Sequence, residues 1–134
     1  WQLLFDGSTF NGWRGYRMQG PPAAELPELK ARGWPGPEIV DFTGDLDDFS
    51  DTAALTACMD LVISCDKSMV HLAGAIGRPV WILSRFNGCW RWLLEREDSP
   101  WYPTARLFRQ ARIADWNGVI DKVQLRLRSF PATR

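Results

Sequence analysis

The chain has 134 residues and a mass of 15.3 kDa, which accommodates about one domain and excludes two independent hydrophobic cores. Hydrophobic residues form 46% of the chain and charged residues 24%, as in ordinary globular proteins. The 16 basic residues balance the 16 acidic ones, so the chain lacks the overall field that attracts phosphate polymers. Nucleic acid is therefore not an expected partner.

The apolar runs and the cysteines of the chain indicate in which cellular compartment the protein is found. Leu61–Cys65 is typical of these runs and is far shorter than the roughly 18 residues of a membrane span. The first residues lack the pattern of a secretory signal peptide. Three cysteines and a single histidine predict neither a disulfide framework nor a zinc site. We expect a cytoplasmic protein without a membrane span.

The first forty residues change in character along the chain. Residues 1–20 are rich in glycine and aromatic residues, which predicts a turn-rich, β-like start. Ala23–Arg32 follows two prolines and predicts a helix, which Pro27 either delays or kinks. Glu38–Thr43 contains branched and aromatic apolar residues and predicts a short strand.

Helices and strands then alternate. The predicted elements are a helix at Asp51–Asp60 capped by Ser50 or Asp51, a strand at Leu61–Cys65, a helix at Ser68–Ile76 ended by Gly77, and a strand at Val80–Leu83.

Residues 84–104 form a long irregular segment that is rich in aromatic residues. Its tryptophans allow two interpretations, internal packing and stacking on a sugar ring. Packing is the prediction for Trp90 and Trp92. Trp101 and Tyr102 instead predict a surface that meets another domain, and through which the chain self-associates when that domain is absent.

A predicted strand at Arg106–Arg109 and a helix that starts at Asp115 follow. The apolar residues of this helix fall on one stripe: Trp116, Val119, Ile120, Val123 and Leu127. Together the elements predict an α/β fold, a parallel sheet covered by helices. Ligands bind at the carboxyl ends of the strands in such sheets, which directs attention to the turns after Thr43, Cys65 and Leu83.

The turn after Cys65 combines features of an anion site. Asp66, Lys67 and Ser68 connect a buried strand directly to a helix, whose first amides are free to bind a phosphate. His71 lies one turn into that helix and could donate to a diphosphate oxygen, while Gly74 and Ala75 would let the helix approach the sheet. The alternative is structural, because Asp66 and Ser68 are ordinary capping residues and a lone histidine is often only packed. Spacing alone favours this structural alternative.

Several separated segments resemble one family in order. They are Leu46–Leu55, Asp60–Ser64, Asp66–Ala75, Pro79–Leu83, Trp90–Leu94, Asp98–Pro103 and Arg106–Gln110. Together they resemble the nucleotide-sugar half of GT-B glycosyltransferases, in particular the bacterial tetratricopeptide-linked enzymes related to heptosyltransferases. The resemblance covers about residues 17–130.

The resemblance implies a Rossmann-like domain, residues 17–134, that binds a nucleoside-diphosphate sugar as donor substrate and uses no other cofactor. It implies that the diphosphate lies on Asp66, Lys67, Ser68 and His71, with Thr52 as a weaker candidate at the rim. The family usually has D-T-S where this chain has Asp66-Lys67-Ser68. No catalytic residue is expected here, because the acceptor-side domain of these enzymes has no counterpart in 134 residues. We expect a fragment that transfers no sugar by itself.

Residues 1–16 form a separate β-like segment in this scheme. Leu4–Trp13 resembles the opening L-F-D-G-x-T-x-x-G-W of the 3-keto-disaccharide hydrolases, which fold as a β-sandwich. Three functions remain open: nucleotide-sugar binding, a non-catalytic interaction module that has lost its ligand, and a piece related to these hydrolases.

Two charged segments are explained without a bound ligand. Asp45-Leu46-Asp47 matches the D-x-D spacing of metal-dependent glycosyltransferases, but acidic residues are also favourable before a helix N-terminus. No metal is expected. The basic residues of the last third, such as Lys122 and Arg126, predict a solvated helix face.

Overall fold

The computed structural model describes residues 15–17, 39–42 and 44–131, and the chain divides into two compact units, Trp1–Thr52 and Ala53–Arg134. In the first unit, strand β1 (Gly15–Arg17) pairs in parallel with β2 (Ile39–Asp41), which confirms the centre of the predicted strand at 38–43. The predicted helix at 23–32 and the hydrolase-like motif at 4–13 lie outside the described residues.

Helix α1 spans Phe49–Ala57 and begins earlier than predicted. Asp48 precedes its first turn, and the Oδ1 atom of Asp48 accepts hydrogen bonds from the backbone N–H groups of Ser50 and Asp51, at 2.6 and 3.1 Å. The prediction of Ser50 or Asp51 as the cap was therefore wrong. The residue that precedes the first turn has its side chain within reach of the amides that need an acceptor.

The second unit contains a three-stranded parallel sheet in the order β3-β4-β5. Its strands are β3 (Val62–Cys65), β4 (Val80–Ser84) and β5 (Ala105–Arg109). Val80 lies opposite Val62 on one side and Ala105 on the other. Helix α2 (Ser68–Ala75) packs against β3 and β4, and α3 (Trp116–Leu127) packs against β5. The α/β class is confirmed, with the described strands divided between two parallel sheets.

Apolar periodicity accounts for the core of this unit. The central strand β4 buries Val80, Trp81 and Ile82, as expected for a continuous apolar run in a parallel sheet. On α3, Val119, Val123 and Leu127 are buried, which confirms most of the predicted stripe. Trp116, the first residue of that helix, is 37% exposed.

Helix α2 ends as its sequence predicts. Gly77 adopts a positive φ of 74°, which is accessible to glycine at little cost. The N–H of Gly77 donates to the carbonyl of Gly74 at 3.1 Å and that of Arg78 to Ala73 at 2.9 Å. These two hydrogen bonds form a Schellman motif, which satisfies carbonyls at the end of the helix.

The segment between β4 and β5 contains a 3₁₀ turn at Trp90–Trp92. Trp92 is fully buried, which confirms its predicted packing, whereas Trp90 is 73% exposed, so packing was the wrong prediction there. The two side chains differ because neighbouring residues of a tight turn point in different directions. Near the end of the segment, Leu107 of β5 donates its N–H to the carbonyl of Glu97 at 2.7 Å.

Candidate anion site at the start of α2

Two residues, Asp66 and Lys67, separate the carboxyl end of β3 from the start of α2. Lys67 occupies the N-cap position in an extended conformation, with φ −142° and ψ 176°, and its side chain makes no capping hydrogen bond within the described chain. A lysine ammonium is only a donor, so it cannot accept from the amides of the first turn. The N–H of Val70 donates to the carbonyl of Lys67 at 3.1 Å, so the amides of Ser68 and Met69, with the positive end of the helix dipole, are the groups of this turn that an anion could meet.

The four predicted residues at this position lie together. Lys67 and Ser68 are exposed, and Asp66 and His71 are partly buried. The Nε2 atom of His71 lies 3.8 Å from Oδ1 of Asp66, because side chains in a helix lean toward its N-terminus. The carboxylate of Asp66 and the imidazole of His71 thus lie close together at the helix start, where Lys67 and Ser68 are the N-cap and first helical residues.

Tyr102 is a neighbour of His71 that sequence reasoning missed. The Nδ1 atom of His71 lies 3.1 Å from the hydroxyl oxygen of Tyr102, within hydrogen-bond distance. Tyr102, which was predicted on a surface that meets another domain, is half-buried, and its ring lies against Gly74 of α2. One signal for this contact is Gly74, since a glycine inside a helix often marks the close approach of another group.

Gly74 makes room for Tyr102. A Cβ atom at position 74 would lie 2.7 Å from Cδ1 of Tyr102 and 2.9 Å from its Cβ, closer than carbon atoms approach one another. The prediction was that Gly74 and Ala75 bring α2 close to the sheet. Gly74 instead accommodates an aromatic ring of the loop, and Ala75 is exposed.

Trp92 supports the imidazole from another side. Its ring stacks on that of His71, with centroids 5.2 Å apart and an interplanar angle of 18°. Trp92 is fully buried, and its Nε1 atom has no hydrogen-bond partner in the described part of the chain. The histidine ring is therefore packed by two aromatic side chains, and the side chain of His71 remains 32% exposed.

Arg109 fixes the backbone that carries Trp92. Its guanidinium donates hydrogen bonds to the carbonyl oxygens of Trp92 and Leu93, and it lies 3.5 Å from the Oγ atom of Ser84. Partial burial lowers the pKa of Arg109 from its usual value by desolvation. Because arginine remains charged far above neutral pH, these are charge-assisted hydrogen bonds that hold the Trp-rich turn to the end of β5.

Cys65 ends β3 directly before this site. Its side chain is buried, and desolvation raises the pKa of its thiol to about 12. A thiol of that pKa stays protonated at neutral pH, and the thiolate is the nucleophilic form. Cys65 is therefore a packing residue of the strand end and not a nucleophile.

Thr52 and the D-x-D segment belong to the first unit. Thr52 is buried, and its hydroxyl donates to the carbonyl of Asp48 at 2.9 Å, within its own helix. Asp45 and Asp47 are exposed, and the N–H of Asp47 donates to Oδ2 of Asp51 at 3.1 Å. Across residues 15–17, 39–42 and 44–131, no group of three or more histidine, cysteine or acidic side chains is arranged to hold a metal ion.

A second basic region lies between β5 and α3. A groove of about 730 Å³ is bordered by Arg106, Arg109, Lys122, Arg126 and Arg128, together with apolar residues such as Leu125. Arg106 is paired with Glu97 at 2.7 Å, so part of this charge is neutralised locally. Lys122 and Arg126 are exposed, as predicted for a solvated helix face. None of the helices in the described ranges is long and apolar enough to cross a membrane.

Comparison with known proteins finds one informative relative. Protein FlbA of Caulobacter vibrioides is 38% identical to this chain over 106 residues. The aligned region covers 79% of this chain but 17% of FlbA, so the chain spans less than a fifth of that relative's length. No family model matches the chain, and no solved structure matches it significantly. The chain is thus similar to one segment of a much longer protein.

Proposed function

We propose that this chain is the nucleotide-sugar-binding part of a GT-B glycosyltransferase and that the start of α2 binds the diphosphate of the donor. The observation that carries the proposal is the absence of a capping acceptor at Lys67, in a helix that begins at the carboxyl end of a parallel strand. This is the edge at which α/β sheets bind their ligands.

The free amides supply most of the expected attraction. A helix N-terminus carries the equivalent of roughly half a positive charge, and its N–H groups point at a bound phosphate. The charges of Asp66 and Lys67, adjacent in the chain, largely cancel at longer range. The hydroxyl of Ser68 and the imidazole of His71 supply two further donors beside these amides.

Under this proposal, the chain lacks the acceptor-side domain that sugar transfer requires. GT-B enzymes, which the sequence resembles, react their donor in a cleft between two domains. The chain spans 17% of FlbA, so a longer protein has ample length for an acceptor-side domain. We expect the chain alone to bind the donor without turnover.

Thermal unfolding with added nucleotide tests the proposal. UDP, GDP and ADP are each titrated into the purified chain. A ligand that binds only the folded state raises its stability by about 2.7 kcal/mol at a hundredfold excess over Kd. We expect one of the three to stabilise the chain, and Ser68→Ala and His71→Ala to weaken this effect.

The control is Ser129→Ala. Ser129 lies just beyond α3, and its hydroxyl donates to the carbonyl of Arg126 at 3.0 Å, outside the α2 site. Ser129→Ala removes a serine hydroxyl, as Ser68→Ala does, and should leave the nucleotide response intact. A flat response of the unmodified chain to all three nucleotides would contradict the proposal.

A second candidate is a non-catalytic interaction module. It is favoured by large apolar side chains that remain exposed, among them Trp90 at 73%, Leu94 at 71% and Ile113 at 74%. Exposed apolar side chains mark protein contacts where they form a contiguous patch. Concentration-dependent association in analytical ultracentrifugation, together with a flat nucleotide response, would favour this candidate over the first.

A further inference from the structure

The two ring nitrogens of His71 have different surroundings. Nδ1 lies 3.1 Å from the hydroxyl oxygen of Tyr102, and Nε2 faces Oδ1 of Asp66 at 3.8 Å. A neutral imidazole has one N–H donor and one acceptor nitrogen, so the neighbours decide which nitrogen carries the proton.

Both neighbours favour a proton on Nε2. An ionised Asp66 carboxylate can only accept, so it attracts an N–H at Nε2. A tyrosine hydroxyl is able to donate, so Tyr102 provides the hydrogen bond that an unprotonated Nδ1 requires. The opposite tautomer would place a lone pair of Nε2 toward the carboxylate, which is electrostatically unfavourable.

The ring is also held in orientation. Trp92 stacks on one face at 5.2 Å, and the ring of Tyr102 meets His71 edge-on, with centroids 5.8 Å apart at 65°. Tyr102 is in turn placed by Gly74, where a side chain would displace its ring. The orientation of the imidazole is thus set by packing before any ligand arrives.

We propose that Tyr102 is a positioning residue that fixes the proton of His71 on Nε2 and directs this N–H to an oxygen of the anion at the start of α2. The identity of the anion as a diphosphate rests on the function proposed above. The 3.8 Å separation from Asp66 is too long for a strong hydrogen bond, so this N–H is still able to donate to a ligand oxygen without a change in the ring's orientation.

Nuclear magnetic resonance tests the proton position without any ligand. The chain contains a single histidine, so all imidazole ¹⁵N signals belong to His71. At a pH where the ring is neutral, we expect Nε2 to be protonated and Nδ1 to be an acceptor. Tyr102→Phe removes only the hydroxyl and should shift the tautomer equilibrium toward a mixture.

Nucleotide binding provides the second measurement. Loss of a net hydrogen bond changes an equilibrium by about two- to tenfold, and we expect Tyr102→Phe to lower the affinity for the stabilising nucleoside diphosphate within that range. The matched control is Trp101→Phe, which alters the adjacent aromatic residue. Trp101 is 58% exposed, and its Nε1 donates to the carbonyl of Arg91 and not to His71. This control should leave the tautomer unchanged.

Each outcome bears on one of the two proposals. A wild-type His71 protonated on Nδ1, or a tautomer that Tyr102→Phe leaves unchanged, would overturn the role of Tyr102. A tautomer that shifts in Tyr102→Phe, in a chain that binds no nucleoside diphosphate, would support that role and overturn the proposed function.

Discussion

The first turns of α3 and α2 differ in what occupies their amide groups. In α3, the N-cap residue Asp115 turns its carboxylate onto the helix and accepts from the N–H of Gly118 at 3.1 Å. In α2, the N-cap residue is Lys67, whose side chain accepts no hydrogen bond from the first turn. The comparison shows that one helix of this unit begins with an acidic N-cap residue and another with a basic one. The side chain of Asp115 caps α3, whereas no side chain caps α2 at its N-cap position.

The same contrast appears in the glycines of the two helices. A Cβ atom at Gly118 would lie 2.8 Å from Oδ2 of Asp115, so this glycine leaves space for the helix's own cap. Gly74 leaves space for Tyr102, which comes from a distant part of the chain and reaches His71. One glycine thus serves local helix stability, and the other serves the candidate site.

Gly74→Ala should have the largest effect. Helix propensity alone predicts that alanine stabilises α2 by about 1 kcal/mol. The overlap with Tyr102 predicts the opposite, a loss of about 1–3 kcal/mol from the free energy of unfolding. Chemical denaturation measures the sign directly. In Gly44→Ala, where nothing lies within 4 Å, we expect stability to be unchanged or slightly raised, and equal effects of the two substitutions would contradict the packing argument.

Lys67→Asp gives α2 an aspartate at its N-cap position, as in α3. A carboxylate at the N-cap competes with the anion for the same amides and repels it, so we expect at least a tenfold loss of nucleotide affinity, about 1.4 kcal/mol. The cap itself should raise stability by up to about 1 kcal/mol. Calorimetric titration and denaturation measure the two changes on one sample.

Lys122→Asp is the charge-matched control for this exchange. Lys122 is exposed on α3, so the same change of charge there should leave nucleotide affinity near its original value. If Lys67→Asp binds nucleotide as well as the original chain, the anion does not lie on the first turn of α2.

Asp115→Ala should have a smaller and purely structural effect. Removal of an aspartate cap costs about 1 kcal/mol of stability, because the N–H of Gly118 loses its acceptor. Nucleotide affinity should not change. Asp121→Ala, at an exposed position of the same helix, provides the control for loss of one negative charge. A matching decrease in stability in both variants would show that the cap contributes nothing beyond its charge.

The smallest effect at neutral pH concerns Cys65, at the strand end before α2. Its pKa in the folded chain is about 12, above the value of 9.0 for an unperturbed thiol, because burial disfavours the thiolate. Its contribution to stability is therefore complete below about pH 9 and is lost as the pH rises toward 12. Alkaline unfolding of Cys65→Ala should lack this component.

Alkylation gives an independent measure of the same burial. At pH 8, iodoacetamide should modify the exposed Cys58 well before the buried Cys65, and peptide mass spectrometry can follow both. Equal rates at the two sites would show that the strand end below α2 opens readily.

Local patterns predicted the second unit well. The short apolar runs gave strands at β3 and β4, the stripe of α3 lies on the buried side, and Gly77 ends α2 in the expected conformation. These features depend on residues close in sequence, through side-chain periodicity and backbone conformation. The cap of α1 was misplaced, since a shift of two residues in the helix start changes which side chain reaches the first amides.

The candidate site was predictable only in part. The approach of His71 to Asp66 follows from helix geometry, since the two residues are five apart at one helix start. The contact with Tyr102 joins positions 31 residues apart, and Gly74 indicates only that some group approaches α2, not which one. Trp90 and Trp92 show the same limit, because they have the same residue type and neighbouring positions but opposite burial.

The sequence by itself determined the α/β alternation and the apolar faces, whereas the structure placed Lys67, and not Asp66 or Ser68, at the N-cap of α2. The alternation and the apolar faces follow from backbone geometry and from the chemistry of single side chains, which act over one or two turns. The tertiary structure decided which aromatic side chain meets His71, why Gly74 is needed and how Arg109 holds the Trp-rich turn. Those contacts depend on how a 20-residue loop packs back onto the sheet and α2, and close packing of distant residues is a property of the whole unit.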